Sequence, residues 1–235
     1  MPLPTIATPT FELTLPSNGK KIKYRPFLVK EEKVLILALE SQDTKDITRA
    51  IKDTLKKCIL TRGIKVDQLP TFDIEYIFLN IRGRSVGETL NLNIICPDDG
   101  KTTVPVALGV DEIQVVKNDE HTLDIDIDGK YKLRMKYPTL DQFITNNFNF
   151  LDEKADVFKI VSQCVDLVYD DETAYEDFNE KEMIKFLEQF SSQQFKNIEN
   201  FFITMPKLSH TLEVINPNTK KKNTILLEGL SAFFG

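Results

Sequence analysis

The sequence predicts an α+β fold in which four β-hairpins, each paired antiparallel, alternate with about six α-helices. Two observations carry this: apolar residues alternate at period two on both sides of four turn sequences, and between those hairpins they recur at helical spacing. A third concerns scale. No Gly-, Ser- or Pro-rich linker divides the 235 residues, so a single body over 1–235 is expected, with a soft boundary near residue 170.

The first hairpin, near 11–28, alternates Phe11, Leu13 and Leu15, turns at Pro16-Ser17-Asn18-Gly19 and returns through Ile22, Tyr24 and Pro26. Glu31 and Glu32 then suit a helix N-terminus, and the apolar run Val34–Leu39 predicts a buried helix in which Leu28, Leu35 and Leu39 pack a core. Ile47, Ile51, Leu55, Cys58 and Ile59 share one face of the next helix, which Gly63 stops. A further helix opens at Pro70-Thr71, carries Asp73 and Glu75 in its first turn, and is expected to end at Arg82-Gly83.

The second hairpin, near 89–108, pairs Leu90, Leu92 and Ile94 with Val104, Val106 and Leu108 across Pro97-Asp98-Asp99-Gly100. The third, near 122–136, turns at Asp128-Gly129 between Ile125, Ile127 and Tyr131, Leu133. Helical segments follow at Asp141 to Phe148, at Val157, Ile160, Val161, Cys164 and Leu167 on one face, at Glu180 to Phe190 and at Gln193 to Met205. An acidic loop, Asp170-Asp171-Glu172 with Glu176 and Asp177, interrupts them. The fourth hairpin, near 211–228, turns at Asn216-Pro217-Asn218-Thr219, and its likeness to the second is open to two readings, a weak internal repeat or the likeness any two hairpins share.

Composition narrows function. With 30 basic and 36 acidic residues and a net charge of -6, the chain is not built for a broad hold on nucleic acid or anionic lipid. Cys58, Cys96 and Cys164 are odd in number and widely spaced, which fits a reducing compartment better than a disulfide framework. Met1 to Phe11 lacks a basic start and is broken by Pro2, Pro4 and Pro9, so no secretory leader is expected. The run Val34–Leu39 falls far short of the roughly 20 residues of a membrane span.

Chemistry-bearing patterns are incomplete. Asp124, Asp126, Asp128 and Gly129 open like a calcium loop, but Met135 stands where the bidentate Glu belongs and the flanks alternate like strands. Cys96-Pro97-Asp98-Asp99-Gly100 is half a zinc ribbon with Asp99 in place of the second thiolate, so no ribbon is completed. His121 and His210 lie near no nucleophile signature, and Gly83 to Gly87 lacks the phosphate-loop ending. No catalytic residue, metal ligand set or cofactor site is expected. Arg82-Gly83-Arg84-Ser85-Val86-Gly87-Glu88 is open to two readings, a carboxylate-binding arginine clamp or a simple chain turn with solvated arginines.

Four stretches carry a family resemblance: Tyr24 to Lys33, Phe78 to Glu88, the Cys96-Pro97 turn and Leu227 to Phe234. In order and spacing they resemble the baseplate hub proteins of T4-like contractile-tailed bacteriophages, most of all the cyanophage versions. The Cys96 turn has one of the two cysteines some relatives carry, and the last hairpin has none. The resemblance implies a non-enzymatic structural or assembly protein of the viral tail, made late in the infected host cytoplasm and held in the baseplate or needed only to build it. It implies other hub and tail proteins as partners, without nucleic acid, membrane, cofactor or small-molecule substrate. Arg82, Arg84, Phe233 and Phe234 are the candidate protein interface.

Overall fold

The computed structural model describes residues 6–41, 43–145 and 157–234. Along the chain come strands β1 (Phe11–Thr14) and β2 (Lys21–Tyr24), then helices α1 (Val29–Ser41), α2 (Thr44–Cys58) and α3 (Thr71–Val86). Strands β3 (Thr89–Ile95), β4 (Thr103–Gly109), β5 (Gln114–Val116), β6 (Asp124–Asp126) and β7 (Lys132–Met135) follow. Next are α4 (Leu140–Thr145), α5 (Val157–Cys164), β8 (Val165–Tyr169), β9 (Ala174–Tyr175), α6 (Glu180–Leu187) and α7 (Ser192–Thr204). The chain closes with β10 (Lys207–Ile215), β11 (Lys222–Glu228) and α8 (Gly229–Phe234). The α+β expectation holds, with every strand pair antiparallel and all four hairpins present.

The chain forms two compact units. The first draws on Met1–Val66, Phe72–Val116 and Lys207–Gly235. Its core lies between the β3-β4 hairpin and the β11-β10-β5 sheet, where Leu90, Leu92 and Leu108 meet Leu208, Leu212 and Leu227. The alternating burial of β3 is what a strand with one face on a core requires. α3 covers this core through Leu79, and α8 plugs it with Phe233. Asp73, fully buried in the first turn of α3, accepts from Ser17 N (3.0 Å) and Ser17 Oγ (2.5 Å), pinning the first hairpin's turn to the helix.

α3 does not end at Gly83 as expected but runs on to Val86. Gly83 sits inside the helix because a Cβ there would stand 3.2 Å from Val110 Cγ1, so the glycine serves close packing rather than a turn.

The second unit comprises Asp67–Thr71 and Lys117–Pro206, with sheet order β6-β7-β8-β9. Ile125, Leu133, Met135, Val165 and Val168 pack against Val161, Met183, Leu187, Ile198 and Phe201. Asn179 and Ser191 start α6 and α7 with capping boxes completed by Glu182 and Gln194. The helix expected through Leu167 stops at Cys164, and Val165–Tyr169 becomes β8, whose Leu133 to Val168 pairing buries both side chains. The helix expected over Asp141 to Phe148 is present as α4; residues 146–148 lie outside the described residues.

Candidate interaction surface

The junction between β2 and α1 is locked by an ion pair. Arg25 donates to both carboxylate oxygens of Glu31, at 3.1 and 3.2 Å, and to Pro26 O at 2.8 Å. Glu31 Oε2 also accepts the Leu28 N–H at 2.6 Å, closing the first turn of α1. The Glu31 side chain is only 2% exposed. Burial pushes its carboxyl up, but the Arg25 guanidinium and the Leu28 amide outweigh it and hold the group below its ordinary range. Arg25 N donates to Cys58 O (3.0 Å) at the end of α2, and Phe27 N donates to Ser85 Oγ (3.0 Å) on α3. The entry of α1 is therefore fixed from three sides.

What this junction projects is unexpected. α1 packs on α2, yet Glu31 and Leu35 are its only fully buried residues. Val29, Val34, Ile36 (49% exposed), Leu37 (55%) and Leu39 (56%) face solvent, and Leu28 is also exposed. This corrects the expectation of a buried helix: Leu35 packs the scaffold, while Leu28 and Leu39 do not. The cause is geometric. A contiguous apolar run wraps the whole helix circumference, and one helix packed beside it covers only one side.

α2 is divided differently. Thr48, Ala50, Thr54, Leu55 and Cys58 are buried, while Lys45, Arg49 and Lys56 are exposed, Arg49 beside Asp46 at 3.9 Å. Asp43 caps the helix by accepting from Lys45 N (2.7 Å) and Asp46 N (3.2 Å). α1 thus carries exposed aliphatic side chains, while α2 carries exposed charged ones.

The four residues of the candidate interface are placed differently from one another. Phe233 is a core residue, 1% exposed. The Phe234 side chain lies outside the described residues. Arg84 is exposed but engaged within its own unit: it pairs with Glu88 and lies 4.8 Å over the Phe11 ring. Arg82 is partly buried, which lowers its pKa.

The chemistry-bearing patterns are absorbed by structure. Asp124 binds Arg134 Nε and NH2 (2.9 and 3.0 Å) and accepts from the Tyr169 hydroxyl at 2.9 Å. Asp126 and Asp128 accept backbone amides of the hairpin turn, from Gly129 and from Lys130 and Tyr131. His121 sits between Thr204 Oγ1 (2.9 Å) and the Tyr137 hydroxyl (3.0 Å), against the Phe201 ring. His210 Nδ1 lies 3.0 Å from Glu112 O. Cys58 and Cys164 are buried, and burial pushes their thiols up to about 11 and about 12. Among the described residues no group of three or more His, Cys, Asp or Glu converges to hold a metal, and no helix is long and apolar enough to cross a membrane.

The family model described as T4 bacteriophage base plate protein matches residues 8–235. The chain belongs to that family. It is therefore a phage base plate protein, and its family points to other tail proteins as its partners. No curated protein and no solved structure matches this base plate protein. The four stretches that carried the resemblance in sequence all fall in the first unit, and each is a joint: the Arg25–Glu31 lock, the end of α3, the β3-β4 turn and the β11-α8 closure. The exposed apolar face of α1 has no sequence motif, since it needs only a helix packed on one side.

Proposed function

We propose that this base plate protein is a component of the hub, acting without catalysis through protein–protein contacts made by the α1–α2 pair. The observation that carries the reading is the row of exposed aliphatic side chains on a helix whose entry is rigidly fixed. Covering each half-exposed Val, Ile or Leu gains on the order of 1 kcal/mol. The occupant is another base plate protein presenting an apolar surface, because aliphatic side chains are what α1 leaves exposed. Acting on other tail proteins, it needs no nucleic acid, membrane, cofactor or small molecule, in keeping with its acidic net charge of -6. It is made in the host cytoplasm late in infection.

A second reading keeps the same surface but makes the chain an assembly factor that leaves before the virion is complete. Quantitative mass spectrometry of hub intermediates, finished base plates and purified virions separates the two. A fixed ratio to hub proteins in all three supports the structural role, and loss from virions alone supports the assembly factor. Absence from every hub-containing fraction would overturn both.

A further inference from the structure

The β3-β4 and β10-β11 hairpins end in the same turn. In each, a Pro follows the first turn residue, and the amide of the fifth donates to the carbonyl of the first: Gly100 N to Cys96 O and Lys220 N to Asn216 O, both at 2.9 Å. The fifth residue is left-handed in both, Gly100 at φ 65 and Lys220 at φ 62. Among the described residues Lys220 is the only non-glycine with positive φ, so this conformation is kept even where the side chain opposes it.

The two turns also meet. Asn216 Nδ2 donates to Asp98 Oδ1 at 2.8 Å, the Thr219 hydroxyl donates to Asp98 Oδ2, and Asp98 N donates to Asn223 Oδ1 at 3.1 Å. Asn218 Nδ2 donates to Thr102 Oγ1 at 2.9 Å. Asn216 is fully buried. Two Pro-containing turns of this shape, brought tip to tip and each offering its first and fourth side chains, form the frame on which a zinc ribbon mounts four ligands.

We infer that this pair of hairpin tips is a zinc-ribbon frame in which a hydrogen-bond clamp centred on Asp98 replaces the metal. The ligand positions are Cys96, Asp99, Asn216 and Thr219. Only Cys96 retains a thiolate ligand, and neither the Asn amide nor the Thr hydroxyl is an ordinary zinc ligand, so the natural chain joins its two sheets without metal. The inference is independent of the hub reading.

The test restores the ligands by Asp99→Cys, Asn216→Cys and Thr219→Cys together and titrates the reduced full chain with cobalt(II), then zinc. One cobalt per chain with the intense visible bands of tetrahedral thiolate ligation, displaced by zinc, is expected. Adding Cys96→Ser to the triple variant should abolish that spectrum, and the natural chain should not show it. A triple variant that is unfolded alone but folds on adding zinc supports the inference equally. Octahedral cobalt bands, a spectrum indifferent to Cys96→Ser, or no folding with zinc would overturn it. In the natural chain, a double-mutant cycle between Asp98→Ala and Thr219→Ala should show coupling of more than about twofold in the unfolding equilibrium constant. Strict additivity would remove the clamp.

Discussion

Replacing Arg25 by Met tests the lock that positions α1. The substitution removes both donors to Glu31 and the bond to Pro26 O, leaving the carboxylate with the Leu28 N–H at 2.6 Å and Lys30 Nζ at 4.0 Å on a side chain 2% exposed. Breaking a buried pair from one side costs about 3–5 kcal/mol, and the retained amide places this case near the lower end, about 3 kcal/mol. For a chain of this size that is a fall in melting midpoint of roughly 6–12 °C. The effect depends on pH with a definite sign. In the natural protein Glu31 lies below its ordinary 4.5, so its contribution is present above that value and is lost as pH falls through the folded-state pKa. Without Arg25, burial dominates and the carboxyl moves up, so the gap between the two proteins should narrow in acid. Urea denaturation near pH 7 and near pH 4 measures both. Arg25→Met with Glu31→Gln should recover most of the loss, since the amide oxygen still accepts from Leu28 without a charge. An Arg25→Met protein within about 0.5 kcal/mol of the natural one near pH 7, or a gap insensitive to pH, would refute the reasoning.

Three further outcomes follow from single sites. Lys220→Gly should stabilise the protein by about 1 kcal/mol in the same denaturation assay, because glycine carries no penalty at φ 62. Gly83→Leu should destabilise it by about 1–3 kcal/mol, since even a Cβ meets Val110 at 3.2 Å. Cys58 and Cys164, with thiols pushed up to about 11 and about 12 by burial, should resist a water-soluble thiol reagent near pH 8 until the chain is unfolded in urea.

Much of the fold was readable because its signals are local. Period-two alternation around a Pro- or Gly-containing turn found all four hairpins, and helical spacing found α2, whose buried Leu55 and Cys58 lie on the anticipated face. The errors came where one pattern serves two structures. Val157, Ile160, Val161 and Cys164 have helical spacing, but β-branched Val165 and Val168 continue as strand β8, a boundary decided by pairing with β7. β5 is a three-residue strand that exists only because β10 accepts it as a neighbour. Gly83 looked like a helix stop because glycine marks turns and close approaches alike.

The interaction surface was less legible for a similar reason. An apolar run announces a helix without saying which side is covered, so the pattern predicts burial for Leu28 and Leu39, which the structure leaves exposed. Phe233 reads in sequence as an interface candidate, but α8 places it in the core of the first unit. The contacts that define the joints follow no sequence period: Asn216 and Asp98 are 118 residues apart, and Arg25 meets Glu31 across a change of secondary structure. Nothing in the spacing of either pair announces it.

Under the proposed function, the exposed face of α1 joins this protein to the rest of the base plate. The most direct measurement introduces Ile36→Glu with Leu37→Glu into the phage and follows base plate assembly by sedimentation, with the purified variant checked by urea denaturation. Both side chains are about half exposed, so stability should stay within about 0.5 kcal/mol of the natural chain. The predicted result is a folded protein that no longer enters hub intermediates or finished base plates. Normal assembly with the folded variant at natural levels would contradict the claim.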